Sequence, residues 1–383
     1  MPSSNDLPLK EDLDKVINYP LNYSFCSNCS FFQQTNLVER EKLFGDYYTY
    51  LTGVNKQTVE LFRREAKLYE NEKNKELAVV IASNDGTEIK LIKELSHFKK
   101  VVGVEPSKNI AILANDRGLT TYNDYFSNEF AIKLSKELGL ADLIVANNVF
   151  AHIPDPRDML LGMKNLLKDD GTITIAVHWL YDMVTKFEID ILYAEHYYEW
   201  TYKAMSLLTS QLNLIIVKVE HIPEQQGGSI RFWIRKNGKQ DDTINKIIKM
   251  EKDADLYELR TIEKLQLDAN KKRDSLRNII EKIKNDKKKI SIWSVPAKIA
   301  TILNFCRITC KDIDYAYEVA ETKIGRYIPG ANILIKDEKE LSKDMPDYLI
   351  VGAWNYIDFA KKNLEWYVKK GGKLINPLTC DII

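Results

Sequence analysis

Glu76-Leu-Ala-Val-Val-Ile-Ala-Ser-Asn-Asp-Gly-Thr-Glu88 decides the fold. Leu77 to Ile81 form an unbroken apolar run of strand length, the pattern of a strand buried on both faces. Small turn-forming residues follow at Ser83, Asn84, Asp85 and Gly86, and then a helical pattern over Ile89 to Leu95. Strand, tight polar turn and helix make the first unit of a parallel α/β sheet. A second strand, Lys100 to Val104, ends at Glu105, about 20 residues past the turn, where an acidic side chain can accept from both ribose hydroxyls of a nucleoside.

Outward from this unit the alternation continues. It predicts helix Asn109 to Arg117, a short strand near Thr120, helix Asn128 to Glu137, strand Ala141 to Ala146, helix Asp158 to Leu167 and strand Thr172 to Val177. That order gives a doubly wound parallel sheet, and ligands in such sheets sit beyond the carboxyl ends of the strands. Ser83, Asn84, Asp85, Glu105, Asn147, Asn148 and His178 should therefore face one crevice. The turn lacks a GxGxxG pattern, and Ala82 stands where a nucleoside loop generally uses glycine. A left-handed conformation there would cost about 1–2 kcal/mol.

A length of 383 residues suggests two or three domains, and the patterning along the chain divides it into three. Residues 1–70 form a small N-terminal module, residues 71–238 the central domain, and residues 239–383 a connecting helix with a C-terminal α/β domain. The module holds Cys26-Ser-Asn-Cys29, two thiols of the four ligands that a structural zinc takes, and an aromatic cluster at Phe44, Tyr47, Tyr48 and Tyr50. A helix over Asn55 to Tyr69 leads into the central sheet. Lys239 to Lys288 is spaced for amphipathic helix, with interspersed acids that make it a solvated connector rather than a polyanion site. A second series follows: strand Ile290 to Trp293, helix Ala297 to Phe305, strands Asp314 to Val319 and Tyr348 to Val351, and helix Ile357 to Val368. Its first turn, Ser294-Val-Pro-Ala-Lys298, replaces a glycine-rich one.

Lys and Arg total 55, as do Asp and Glu, so the zero formal charge recruits neither nucleic acid nor an anionic membrane. No run approaches the roughly 18 apolar residues of a membrane span, and Met1 to Lys15 lacks the features of a signal peptide. A cytoplasmic protein with reduced cysteines and a small-molecule partner is expected; the oligomeric state is left open.

Tyr193-Ala194-Glu195-His196, inside an aromatic-rich run, crowds a phenol, a carboxylate and an imidazole into four residues. Such a trio can supply a base, its orienting partner and a hydrogen-bond donor near pH 7. It equally suits a satisfied structural network.

These stretches together resemble the S-adenosylmethionine-dependent C-methyltransferases that act on nucleotide-linked keto-deoxysugars at C-3. The matching motifs run the length of the chain: Cys26/Cys29, Tyr48/Tyr50, Ser83 to Gly86, Gly103 to Pro106, Asn147 to His152, Tyr193 to His196, Gly227 to Arg231, Gly325 to Gly330 and Ala353 to Asn355. The resemblance implies a Rossmann-like domain holding S-adenosylmethionine through Ser83, Asn84, Asp85, Gly86, Glu105, Pro106, Asn147 and Asn148. It implies a nucleotide sugar between that domain and the C-terminal one, met by Tyr50, His178, Gly228, Ser229 and Arg231, the last binding its diphosphate. His196 is then the base that removes the proton beside the keto group, with Tyr193, Glu195 and Tyr48 completing the catalytic pocket, and the enolate takes the methyl group.

The chain also departs from that family. A further Cys-x-x-Cys expected ahead of Cys26 is missing, which puts a zinc at Cys26 and Cys29 in doubt, and no metal ligand is assigned. Val80 and Ala82 replace an acidic residue and a glycine of the donor loop, and Ala194 and Gln226 replace two histidines. His196 is thereby left as the sole imidazole of the aligned acceptor-side motifs, with His178 the nearby alternative. These departures keep two other readings open: methylation of oxygen or nitrogen on another nucleotide sugar, or a non-catalytic member that binds a nucleotide sugar.

Overall fold

The strand Leu77–Ile81 lies inside a seven-stranded sheet, buried along its whole length as its apolar run requires. The computed structural model describes residues 1–43 and 50–383. From edge to edge the sheet runs Thr121–Tyr122, Lys100–Val104, Leu77–Ile81, Ala141–Asn147, Leu167–His178, Ser229–Arg235 and Ile215–Ile222. The first five are parallel, and Ser229–Arg235 runs antiparallel to both neighbours. Parallel neighbours need crossovers, which the helices Thr87–Ser96, Lys108–Asp116, Asn128–Leu138 and Pro156–Leu166 supply.

The pleat sorts side chains onto two faces. Ala78 and Val80 pack with Phe62, Ala66, Ile89 and Ile92, on the side of the helices Lys56–Leu68 and Thr87–Ser96. Val79 and Ile81 pack with Ala131, Leu134, Leu160 and Met163 on the other. Val79 and Val80 are both fully buried, a gain of about 1.5–3 kcal/mol each. Local chemistry sets where the helices begin. Asn55 Oδ1 accepts from the Gln57 and Thr58 N–H groups, and Asp155 Oδ1 caps Pro156–Leu166 in the same way, with Pro156 in its first turn.

The α/β class and the Rossmann-like sheet expected from the sequence are present. Several expected elements differ in detail. The hairpin Ile215–Ile222/Ser229–Arg235 was not foreseen, because charged residues interrupt its apolar pattern and a bulge falls between Trp233 and Ile234. The single connecting helix is two, Thr243–Asp253 and Leu259–Asn285, separated near Asp255, which is left-handed at φ 51°. Ile244 and Ile247 of the first pack into the core of the central sheet, whereas Leu276, Ile280 and Ile283 of the second join the C-terminal core. The helix expected over Ile357 to Val368 is also two, Ile357–Asn363 and Glu365–Lys369.

A six-stranded C-terminal sheet has the order Tyr327–Ile328, Ile333–Asp337, Ala316–Glu318, Ile290–Trp293, Tyr348–Val351 and Lys373–Ile375, parallel except at Tyr327–Ile328. A third sheet joins Tyr23–Phe25 and Phe32–Gln34 to Tyr198–Glu199, a strand from far along the chain. That pairing ties the N-terminal module to the segment just after His196. No described helix is long and apolar enough to cross a membrane.

Candidate active site

Left-handed residues wind the turn after Leu77–Ile81: Ala82 at φ 52°, Asn84 at 49° and Gly86 at 79°. The methyl group of Ala82 therefore carries the strain of about 1–2 kcal/mol that a glycine would avoid. Hydrogen bonds hold the turn in that shape. The Asn84 N–H donates to Glu105 Oε2 (3.0 Å) and the Ser107 N–H to Glu105 Oε1 (2.9 Å). The Asn84 side chain accepts from the Thr52 N–H and donates to the Tyr50 carbonyl, fastening the preceding segment over the loop.

Asp85 serves the loop itself. Its oxygens accept from Thr87 and the Gly53 N–H, and Arg117 pairs with it at 3.1 Å. Gly86 opens the helix Thr87–Ser96, and a Cβ there would lie 2.4 Å from Leu119. The carbonyls of Glu105 and Pro106 accept from Asn123. Ser83 Oγ and Asn147 Oδ1, at the ends of neighbouring strands, are buried with no partner among the described residues. Native structures seldom leave such atoms unpaired, so this edge fits a donor bearing hydroxyl and amino groups, as S-adenosylmethionine does. Asn148, left-handed at φ 55°, accepts from Gln225 at the rim.

Beneath Asn147 lies a buried charged network. Asn147 Nδ2 donates to Glu65 (2.8 Å) and Glu88 (2.6 Å), and Arg231 donates to Glu65 and Glu220 (both 2.8 Å). Burial, with Glu65 beside it, holds the Glu88 carboxyl well above the usual range. Arg231 was expected to meet a diphosphate. Instead it sits in mid-strand at 4% exposure, with both terminal nitrogens engaged by carboxylates.

The strand Leu167–His178 ends at an imidazole cluster. Ring centroids of His178 and His152 lie 4.4 and 4.8 Å from that of His196, and Tyr193 lies 3.9 Å from it. His196 Nδ1 donates to the Ile191 carbonyl (2.7 Å) and His152 Nδ1 to the Glu195 carbonyl (2.6 Å), since a carbonyl only accepts. His178 Nε2 meets Gln226 Oε1. Burial keeps all three neutral, lowering His178 to about 3, His152 to about 4 and His196 well below its ordinary value, with His178 and His152 adding to the effect on His196. His178 and His196 also approach Glu199, whose carboxylate is fully buried, with one potential ligand atom from each within 4.8 Å of the others.

The structure thus brings His196, Tyr193 and His178 together, but it does not give Glu195 the orienting role. Glu195 Oε1 accepts from Ser3 Oγ (2.8 Å) and the Asn5 N–H (3.3 Å), and the Ile191 carbonyl orients His196 instead. Nor is His196 the sole imidazole. His152 had a signal, its place in the Asn147 to His152 motif; Glu199 had none beyond being an acid in an aromatic run. Tyr48 lies outside the described residues, and Tyr50 is 41% exposed as a residue although burial pushes its phenol up.

Gly227 and Gly228 are required by close approach: a Cβ on either would lie 2.1 Å from the carboxylate group of Glu188 or Asp182, respectively. Ser229, fully buried, donates to the Gln225 carbonyl. The C-terminal domain contributes Lys298, which donates to the Gln226 carbonyl (2.7 Å), lies 3.7 Å from Glu188 and stacks 5.3 Å from the centre of the Trp354 ring. Burial pushes the Glu188 carboxyl up to about 7 against the pull of Lys298. Trp354 donates to Asp190. Cys26 and Cys29 close a turn, where the Cys29 N–H lowers the Cys26 thiol. Among the described residues no cluster of three or more potential metal ligands includes them.

Residues 79–173 match a family model described as a methyltransferase domain, and residues 224–379 one described as a C-methyltransferase C-terminal domain. The chain is 26% identical to C-methyltransferase NovU of Streptomyces niveus over 382 residues, 98% of this chain and 90% of the relative. Among solved structures, the plantazolicin methyltransferase BpumL in complex with SAH is 12% identical, covering 47% of this chain and 84% of its own, at a TM-score of 0.38. A SAM-dependent methyltransferase from Anabaena variabilis is 15% identical, covering 46% and 93%, at a TM-score of 0.34.

Proposed function

We propose that this chain, an S-adenosylmethionine-dependent methyltransferase related to NovU-like C-methyltransferases, methylates a carbon of a nucleotide-linked keto-deoxysugar, with His196 as the base. The observation that carries this reading is the convergence of His152, His178 and His196 with Tyr193 beside the edge that ends at Asn147 and Asn148. When bound, the donor supplies an electrophilic methyl group on a sulfonium. The chain supplies the rest. His196, its Nδ1–H fixed on Ile191, presents Nε2 in the neutral form that can accept a proton from carbon. The Tyr193 hydroxyl is suited to donate to the oxygen where negative charge grows. Lys298 adds a positive charge on the C-terminal side, where the nucleotide sugar is expected to enter.

His196→Ala should abolish turnover and solvent deuterium exchange beside the keto group by about 10²- to 10⁴-fold, while SAH affinity changes little. Exchange at the wild-type rate in that variant would remove His196 as the base. A second reading, methyl transfer to oxygen or nitrogen, is favoured by one observation: burial leaves every imidazole of the cluster with low proton affinity. Fragmentation of the product by mass spectrometry separates the two, because only carbon methylation adds a methyl group to the sugar skeleton.

A further inference from the structure

Glu199 is fully buried, and neither of its carboxylate oxygens has a hydrogen-bond partner among the described residues. Its strand partner Phe32 offers it nothing, and Lys298, whose charge acts on it, makes its ion pair with Glu188 instead. His178 Nδ1 is likewise buried, with no partner among the described residues. His196 has its Nδ1–H committed to Ile191, which leaves the lone pair on Nε2. One ligand atom from each of the three side chains lies within 4.8 Å of the others. Three side chains that can each act as a ligand therefore converge with no hydrogen bond between them among the described residues, an arrangement that buried polar groups normally avoid.

We propose that His178, His196 and Glu199 form a binding site for a divalent transition-metal cation. Two neutral imidazoles and one carboxylate are a ligand set that zinc, cobalt, iron and manganese all accept. The surroundings complete the pattern. Metal-binding histidines donate their second N–H to a carbonyl or carboxylate, which fixes tautomer and ring orientation, and here Ile191 and Gln226 take those protons. Bonds of about 2.0–2.2 Å place ligand atoms roughly 3–3.5 Å apart, so loading draws the three side chains inward by about an ångström. The Cys26/Cys29 pair belongs to a different part of the chain and offers only two thiols. If His196 is the base, as proposed above, metal and substrate proton compete for the same Nε2, and the loaded enzyme is inactive.

The test uses the full chain carrying Cys26→Ser and Cys29→Ser, stripped with a chelator and titrated with Co²⁺ alone. A ligand-field absorption band that saturates at one equivalent, without thiolate charge-transfer absorption, is expected. Glu199→Gln, which keeps the shape and fills the cluster with a neutral amide, should weaken Co²⁺ binding at least tenfold. No band at equimolar metal, or a band of unchanged affinity in Glu199→Gln, overturns the site. Turnover of the stripped and Co²⁺-loaded protein is measured in parallel. Saturable binding with full turnover leaves the site standing and removes His196 as the base, so the two inferences fail separately.

Discussion

At the level of single residues, burial decides the chemistry more than sequence neighbourhood does. Tyr193, Glu195 and His196 are adjacent in the chain, yet Glu195 faces Ser3 and Asn5 while His196 faces His152 and His178. Adjacency was legible; direction was not, because successive side chains diverge once the backbone bends. Ala82 was legible in full: an alanine where glycine is usual, and left-handed in the structure. Glu188 was invisible in the sequence, yet its carboxyl at about 7 makes a measurable prediction. Below about pH 4.5 the group is protonated both folded and unfolded. Between about 4.5 and 7 only the folded form holds the proton, so this contribution to stability falls as pH rises, by on the order of 3 kcal/mol. Glu188→Gln should gain on the wild type across that window in urea unfolding. Parallel stability curves from pH 4.5 to 8 would show that Glu188 titrates normally.

At the level of elements, the run Leu77–Ile81 and the alternation after it were readable because parallel strands buried on both faces need no partner in view to be recognised. The hairpin Ile215–Ile222/Ser229–Arg235 was not, since Lys218, Glu220 and Arg231 break its pattern and find their partners only once the strands pair, Lys218 over Trp233 and Glu220 with Arg231, with Glu65 added from a distant helix. The same hairpin hid the meaning of its glycine pair. Gly228 was read as a substrate contact, and its backbone does lie beside the cluster, but the space a side chain would need is filled by Asp182, itself paired with His221 and Lys186. Gly228→Ala should therefore destabilise the fold by roughly 1–3 kcal/mol, as overpacking does, and lower the thermal midpoint. An unchanged midpoint together with a raised KM would assign Gly228 to substrate instead.

At the level of the whole molecule, the candidate site is assembled from all three sheets, and no single stretch of sequence records that. Tyr198–Glu199 joins the N-terminal sheet, so Tyr23 and Gln34 can donate to the His196 carbonyl. The N-terminal segment runs on to the far domain: Leu7 packs in the C-terminal core, and the Leu7 and Pro8 carbonyls accept from Arg326 and the Tyr327 N–H. Lys298 closes the circuit from the other side, reaching Gln226 and Glu188 from the first turn of the helix Ala297–Cys306. The donor edge, by contrast, is built within the central sheet and the segment Tyr50 to Gly53. A change at Lys298 should then separate the two halves of the reaction. Lys298→Met keeps the aliphatic stem over Trp354 but removes the charge that faces Glu188, which is then left buried and protonated. SAH affinity should stay within about twofold, because among the described residues no donor-loop hydrogen bond comes from the C-terminal domain, whereas turnover should fall tenfold or more, about 1.4 kcal/mol of lost transition-state stabilisation. An equal loss in SAH affinity and in turnover would mean that Lys298 holds the whole fold rather than the acceptor side of the cleft.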